Sequence, residues 1–116
     1  MQTVFHVSSD DPADQRHALR NVVNLLADES VSGPDDDVVL VANGGAVRLF
    51  LSPTTPATAT VADLRDAGVA LYACGNSLRR LDASDADLLP GVERVPSGVG
   101  RLASLQQDGF GYLKVP

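Results

Sequence analysis

Two short runs, DVVLVAN at residues 37–43 and VALYA at 69–73, constrain the fold more than any other feature of the chain. Both are apolar at nearly every position and both are bounded by turn-forming residues. A strand with one wet face alternates apolar and polar residues. An unbroken apolar run of this length fits a strand covered on both faces, as in a parallel sheet layered by helices. Three further segments have strand character: QTVFHV at 2–7, VERV at 92–95 and FGYLKV at 110–115.

Helical patterns separate these strands. Asp11 followed by Pro12 is a helix start, with a capping side chain and then a proline where its missing N–H costs nothing. Ala18, Leu19, Val22, Val23, Leu25 and Leu26 then form an apolar stripe that ends near Glu29. Gly44 and Gly45 break the second strand, and AVRLFL reads as a short helix. SPTTPATAT, with two prolines, reads as a loop, and VADLRDAG as a helix closed by Gly68. Asn76 to Leu81 forms a helical turn or two. DASDADLLPG is irregular or partly helical, and SGVGRLASLQQDG is a helix with Gly109 at its C-terminal end. Strand and helix thus alternate five times, which predicts a three-layer α/β/α fold with a mainly parallel five-stranded sheet and right-handed crossovers.

At 116 residues the chain fits one domain, residues 1–116, able to bury ~65% of the surface its unfolded form would expose. No apolar run reaches the ~18 residues a membrane span needs, and MQTVFHVSSDDP lacks the basic and apolar regions of a signal peptide, so a cytoplasmic protein is expected. The net charge of -6 argues against a nucleic-acid partner, because such proteins need a basic face. Lys114 is the sole lysine, and an acidic, lysine-poor surface suits a high-salt cytoplasm. With one cysteine, Cys74, neither an internal disulfide nor a C-x-x-C redox pair nor a cysteine zinc site can form within one chain.

In open α/β sheets, chemistry gathers at the carboxyl ends of the strands. That brings forward the loops SSDD, NGG, CGNS and PSGVG. Cys74 closes the third strand and the next residues open a helix, where backbone N–H groups favour a thiolate. Gly75 permits approach of a second sulfur, Asn76 and Ser77 add donors, and Arg79 and Arg80 add positive potential. A small buried hydrophobe is the competing account of the same cysteine. Gly98-Val99-Gly100-Arg101-Leu102-Ala103 matches a loose G-x-G-x-x-A, but the acidic ribose partner ~20 residues later has no place in the sequence. What survives is a glycine-rich helix start with Arg101, suited to a small anion or to a tight turn. His6, near the end of the first strand, is either a proton carrier beside the site or a hydrogen-bonded core histidine, and its spacing from His17 suggests no metal pair. Asn21 and Asn24 lie away from the first helix's stripe, as surface or subunit-contact residues. No serine-hydrolase elbow or P-loop is present.

FHVSSDD, ALRNVVNLLAD, VVLVANGGAVRLFL, LYACGNSLRRL and VERVPSGVGRLASLQQDGFGYLKVP together resemble the DsrE/DsrF-like family, small α/β proteins related to sulfur-relay subunits. The CGNSLR and PSGVGRLASLQQDGFGYLKVP pieces look most like an uncharacterised single-subunit branch. In relay members a cysteine at the end of the third strand carries a persulfide between donor and acceptor proteins, and Cys74 stands at the matching place. The resemblance implies a homo-oligomer, a trimer or hexamer, with contacts from SPTTPATAT and the outer helix faces. No cofactor is expected. Two function classes remain open: a sulfur carrier using Cys74, with Gly75, Asn76, Ser77 and Arg79 or Arg101 supporting the sulfur anion, and a non-catalytic module that binds a small anion or metabolite at the strand ends while Cys74 packs.

Overall fold

The computed structural model describes residues 1–52 and 57–116. Five strands form one all-parallel sheet: β1 (Gln2–Val7), β2 (Asp37–Ala42), β3 (Ala70–Cys74), β4 (Val92–Val95) and β5 (Gly111–Lys114). Their order is β4-β3-β2-β1-β5. The two apolar runs occupy the centre of the sheet or adjoin it, and β2 is buried from Val38 onward.

The first helix, α1 (Pro12–Ala27), begins as expected: Ala13 N–H donates to the Asp11 carboxylate at 2.7 Å and Pro12 opens the first turn. It stops two residues before Glu29, because the Asp28 carboxylate accepts from both the N–H and the hydroxyl of Ser30, a local arrangement that competes with another helical turn. Leu19 and Val22 are buried, whereas Val23 is 41% exposed and leaves the expected stripe. AVRLF lies in a 3-10 helix, Gly44–Phe50, which buries Ala46, Val47, Leu49 and Phe50, and Leu51 follows it in an isolated bridge to Leu88. Residues 53–56 of the expected SPTTPATAT loop lie outside the described residues. Its last part is not loop: α2 spans Thr58–Asp66, and the Val61 N–H is already bonded to the Ala57 carbonyl at 3.0 Å. A helix that buries Val61 and Leu64 needs a turn ahead of its first apolar residue. The short α3 (Gly75–Arg80) follows β3 directly, and α4 (Gly98–Gln107) is closed two residues on by Gly109, whose φ of 94° suits glycine. DASDADLLPG contains one 3-10 turn, Asp85–Asp87.

Two cores lie on opposite faces of the sheet. On one, Phe5, Val7, Leu40, Ala42, Leu71 and Ala73 join Leu19, Val22, Phe50, Leu64 and Leu78 from the helices. On the other, Val4, Val39 and Val41 meet Leu102 and Leu105 of α4. Crossover handedness explains this division. From β1 to β4 the chain steps across the sheet in one direction, so right-handed connections stay on one face. The step from β4 back to β5 reverses direction and carries α4 to the other face. The connections leaving β3 and β4 therefore diverge to opposite faces, which makes the carboxyl ends of these neighbouring strands the switch point of the sheet.

Candidate functional site

Cys74 stands at that switch point. It is the last residue of β3, paired in register with Val95 of β4, and it is 5% exposed. Its sulfur collects donors from the starts of two helices. The Ser77 hydroxyl and the N–H groups of Asn76 and Ser77 come from the start of α3, and the Gly98 N–H comes from the start of α4. Burial pushes the thiol pKa up, but these four hydrogen bonds outweigh it, and the net value lies below that of an ordinary thiol. The arrangement therefore favours the thiolate without a basic side chain at the sulfur.

Ser77 is itself held. Its Oγ accepts from the Gly44 N–H at 2.7 Å, so the loop after β2 fixes the hydroxyl that donates to Cys74. Gly98 matters through its missing side chain as well as its N–H. A Cβ there would lie 3.1 Å from the Cβ atoms of both Cys74 and Asn43 and 3.6 Å from Sγ, a spacing that few Cβ atoms tolerate. Glycine thus lets α4 start against the thiol. The Ser97 hydroxyl caps this helix by accepting from the Gly100 N–H at 3.2 Å.

The remaining candidates have other neighbours. A Cβ on Gly75 would lie 2.7 Å from the Val95 carbonyl oxygen, so this glycine admits β4 close to α3. The Arg94 guanidinium adds a hydrogen bond at 3.3 Å to the Gly75 carbonyl. Asn76 accepts from Arg79 through its side-chain oxygen, and Arg79 is exposed. Arg101 lies over the Tyr72 ring, 4.6 Å from its centroid, in a cation–π contact. It also lines a surface hollow with Val95, Pro96, Ser97, Gly100 and Ser104. Asn21 and Asn24 line a separate groove between α1 and β5.

His6 is half-buried and bonded on both ring nitrogens, to Asn43 Oδ1 at 2.7 Å and to the Tyr112 hydroxyl at 2.6 Å. Burial is the chief reason its pKa falls below the usual histidine value, and the Lys114 charge adds to this against the raising effect of Asn43. Asn43 and Tyr112 were not singled out by sequence. The clue to Asn43 was its place after the apolar run of β2, one step beyond the Ala42–Ala73 pair and hence beside Cys74. Nothing short of the β1–β5 pairing could locate Tyr112.

No helix among the described residues is long and apolar enough to cross a membrane. The family model described as DsrE/DsrF-like matches residues 1–115. A solved protein of unknown function, MTH1491 from Methanobacterium thermoautotrophicum, is 32% identical, with a TM-score of 0.87 over 97% of each chain. The ychN protein from E. coli, 20% identical, covers 98% of this chain and 99% of its own with a TM-score of 0.79, and shares the fold. No curated protein matches the chain.

Proposed function

The chain belongs to the DsrE/DsrF-like family, and from that premise we propose that it is a sulfur carrier that holds sulfane sulfur on Cys74. One observation carries this reading: four hydrogen-bond donors converge on the sulfur of the sole cysteine, at the carboxyl ends of β3 and β4. A purely packing cysteine has no use for donors, whereas a thiolate needs them. The family's link to sulfur relay supports the same chemistry.

In the loading step the Cys74 thiolate attacks the outer sulfur of a donor persulfide. The new S–S bond forms as the donor S–S bond breaks, the donor leaves as a thiolate, and the proton stays with the transferred sulfur. In the unloading step a recipient thiolate attacks the outer sulfur and Cys74 leaves as the thiolate. No net oxidant is required. Gly98, Asn76 and Ser77 would stabilise the departing thiolate through their N–H groups. Gly75 lets β4 pack close to α3 and Gly100 takes the Ser97 cap of α4, while Arg79 and Arg101 are engaged by Asn76 and Tyr72 at the margin of the site. A homo-oligomer, trimer or hexamer, working in the cytoplasm is part of the proposal. The exposed apolar residues Val99, Tyr112 and Leu113 offer contact surface for other subunits or for donor and acceptor proteins.

The alternative of a non-catalytic binding module draws on the 5% exposure of Cys74. Mass spectrometry of protein purified without reductant, before and after incubation with polysulfide, separates the two. Added sulfur on Cys74, absent in Cys74→Ser, supports the carrier. A thiol that takes up no sulfur and resists alkylation at neutral pH refutes it.

A further inference from the structure

Asn43 and Cys74 stand side by side at the carboxyl ends of β2 and β3, their Cβ atoms both 3.1 Å from the place a Gly98 side chain would start. The Asn43 carboxamide is anchored from the opposite side. Its Oδ1 can only accept, so the 2.7 Å contact requires that His6 Nε2 carry the hydrogen and donate. In the neutral ring Nδ1 is then an acceptor, and the Tyr112 hydroxyl donates to it at 2.6 Å. Tyr112 to His6 to Asn43 is therefore a directed chain of hydrogen bonds running across β5, β1 and β2 toward β3.

That chain sets the direction of the last group. β1 and β3 flank β2 on opposite sides. A planar carboxamide whose oxygen is turned to His6 on β1 has its nitrogen turned away from β1. The Nδ2 donors form no hydrogen bond with the described residues, and Asn43 is partly exposed, so they remain free for a ligand. The donors from Asn76, Ser77 and Gly98 already serve Sγ itself. A persulfide places a second sulfur ~2.05 Å beyond Sγ, outside that set.

Resting on the sulfur-carrier reading, we infer that Asn43 is the residue that holds the outer sulfur of a Cys74 persulfide, donating from Nδ2, and that His6 and Tyr112 are positioning residues that fix its amide. The role is specific to the loaded state. It retains sulfane sulfur against small thiols until a recipient displaces the amide contact.

The test measures exchange of sulfane sulfur between loaded protein and glutathione, which yields Cys74 thiolate and glutathione persulfide. Its equilibrium constant is read by mass spectrometry for wild type, Asn43→Ala, His6→Phe, His6→Gln and Tyr112→Phe, each with a circular dichroism spectrum. Asn43→Ala and His6→Phe should shift the constant toward glutathione by about fivefold, the weight of one ordinary hydrogen bond. His6→Gln should restore most of the retention, because its side-chain amide can donate to Asn43 Oδ1, which a merely space-filling role would not explain. Tyr112→Phe, a change of one oxygen at a 40% exposed position, should give a smaller shift in the same direction. If Asn43→Ala and Tyr112→Phe both load and exchange like wild type, the inference is overturned while the carrier reading stands. If wild-type Cys74 accepts no sulfur, both fall together.

Discussion

Ser77→Ala tests the electrostatics of the candidate site most directly. The hydroxyl is the largest of the four hydrogen-bond influences that lower the Cys74 pKa, and it is oriented by the Gly44 N–H at 2.7 Å. A hydrogen bond to a charged group is worth about 1.5–3 kcal/mol, and one pKa unit corresponds to about 1.4 kcal/mol. Removing the hydroxyl should therefore raise the Cys74 pKa by about 1 to 2 units. The second consequence is thermal. Loss of the Gly44 bond costs about 1 kcal/mol, which lowers the Tm of a chain this size by about 4 °C. The assay is the rate of iodoacetamide alkylation across pH 5 to 10, fitted to one ionisation, with a melt at a pH where the thiol is neutral. The slope of log rate against pH should shift to higher pH with its plateau retained. An apparent pKa within about 0.3 units of wild type would refute the assignment of Ser77 as a donor to the thiolate, since even the weak end of the range exceeds that shift.

Three other outcomes follow. Gly98→Ala should raise the Cys74 pKa and destabilise by about 1 kcal/mol, because overpacking against the Cys74 and Asn43 Cβ atoms exceeds the gain in helix propensity; alkylation kinetics and urea unfolding check it, and an unchanged pKa with higher stability would contradict the 3.1 Å contacts. Gly75→Ala should cost more, about 2–3 kcal/mol, since the obstacle at 2.7 Å is the Val95 backbone carbonyl, and denaturant unfolding would expose the error if the loss were below about 0.5 kcal/mol. The fold prefers His6 neutral, its pKa being lowered, so the stability linked to that preference is complete above pH 6.5 and lost as pH falls through the folded value. His6→Gln should remove this share of the acid-side decline in urea midpoints, and an identical pH profile for the two proteins would show that His6 is not its source.

β2 was legible because burial on both faces erases alternation, and β3 because its partly buried positions, Ala70 and Tyr72, are also largely apolar and bounded by glycines. Cys74 was legible for a related reason: it ends such a run and meets a glycine. The stripe of α1 was read one residue too wide, because Val22 and Val23 are equally apolar and differ only in the 100° that separates successive helical positions. The strand order was not legible, and with it went the site's other half. The 3-10 geometry of Gly44–Phe50 brings the Gly44 N–H to Ser77, thirty-three positions away. Asn43, His6 and Tyr112 meet only once β5 pairs beside β1 and not beside β4. Arg79 and Arg101, whose charges suggested electrostatic help, instead meet Asn76 and Tyr72.

The reversed crossover that carries α4 behind the sheet also orders events in time. Contacts between β1 and β5 join residues more than a hundred positions apart, as in the His6–Tyr112 bond, and such loops close late. The Gly98 N–H reaches Cys74 only when α4 has been laid across Val4, Val39 and Val41. A nascent chain emerging from the ribosome up to α3 therefore carries the thiol and the Ser77 hydroxyl but not the full set of donors. Without the Gly98 donor its cysteine would lie nearer an ordinary thiol until the second core forms. On the proposed carrier reading, the topology would keep an incompletely folded chain from loading a persulfide before the donors that hold it are in place.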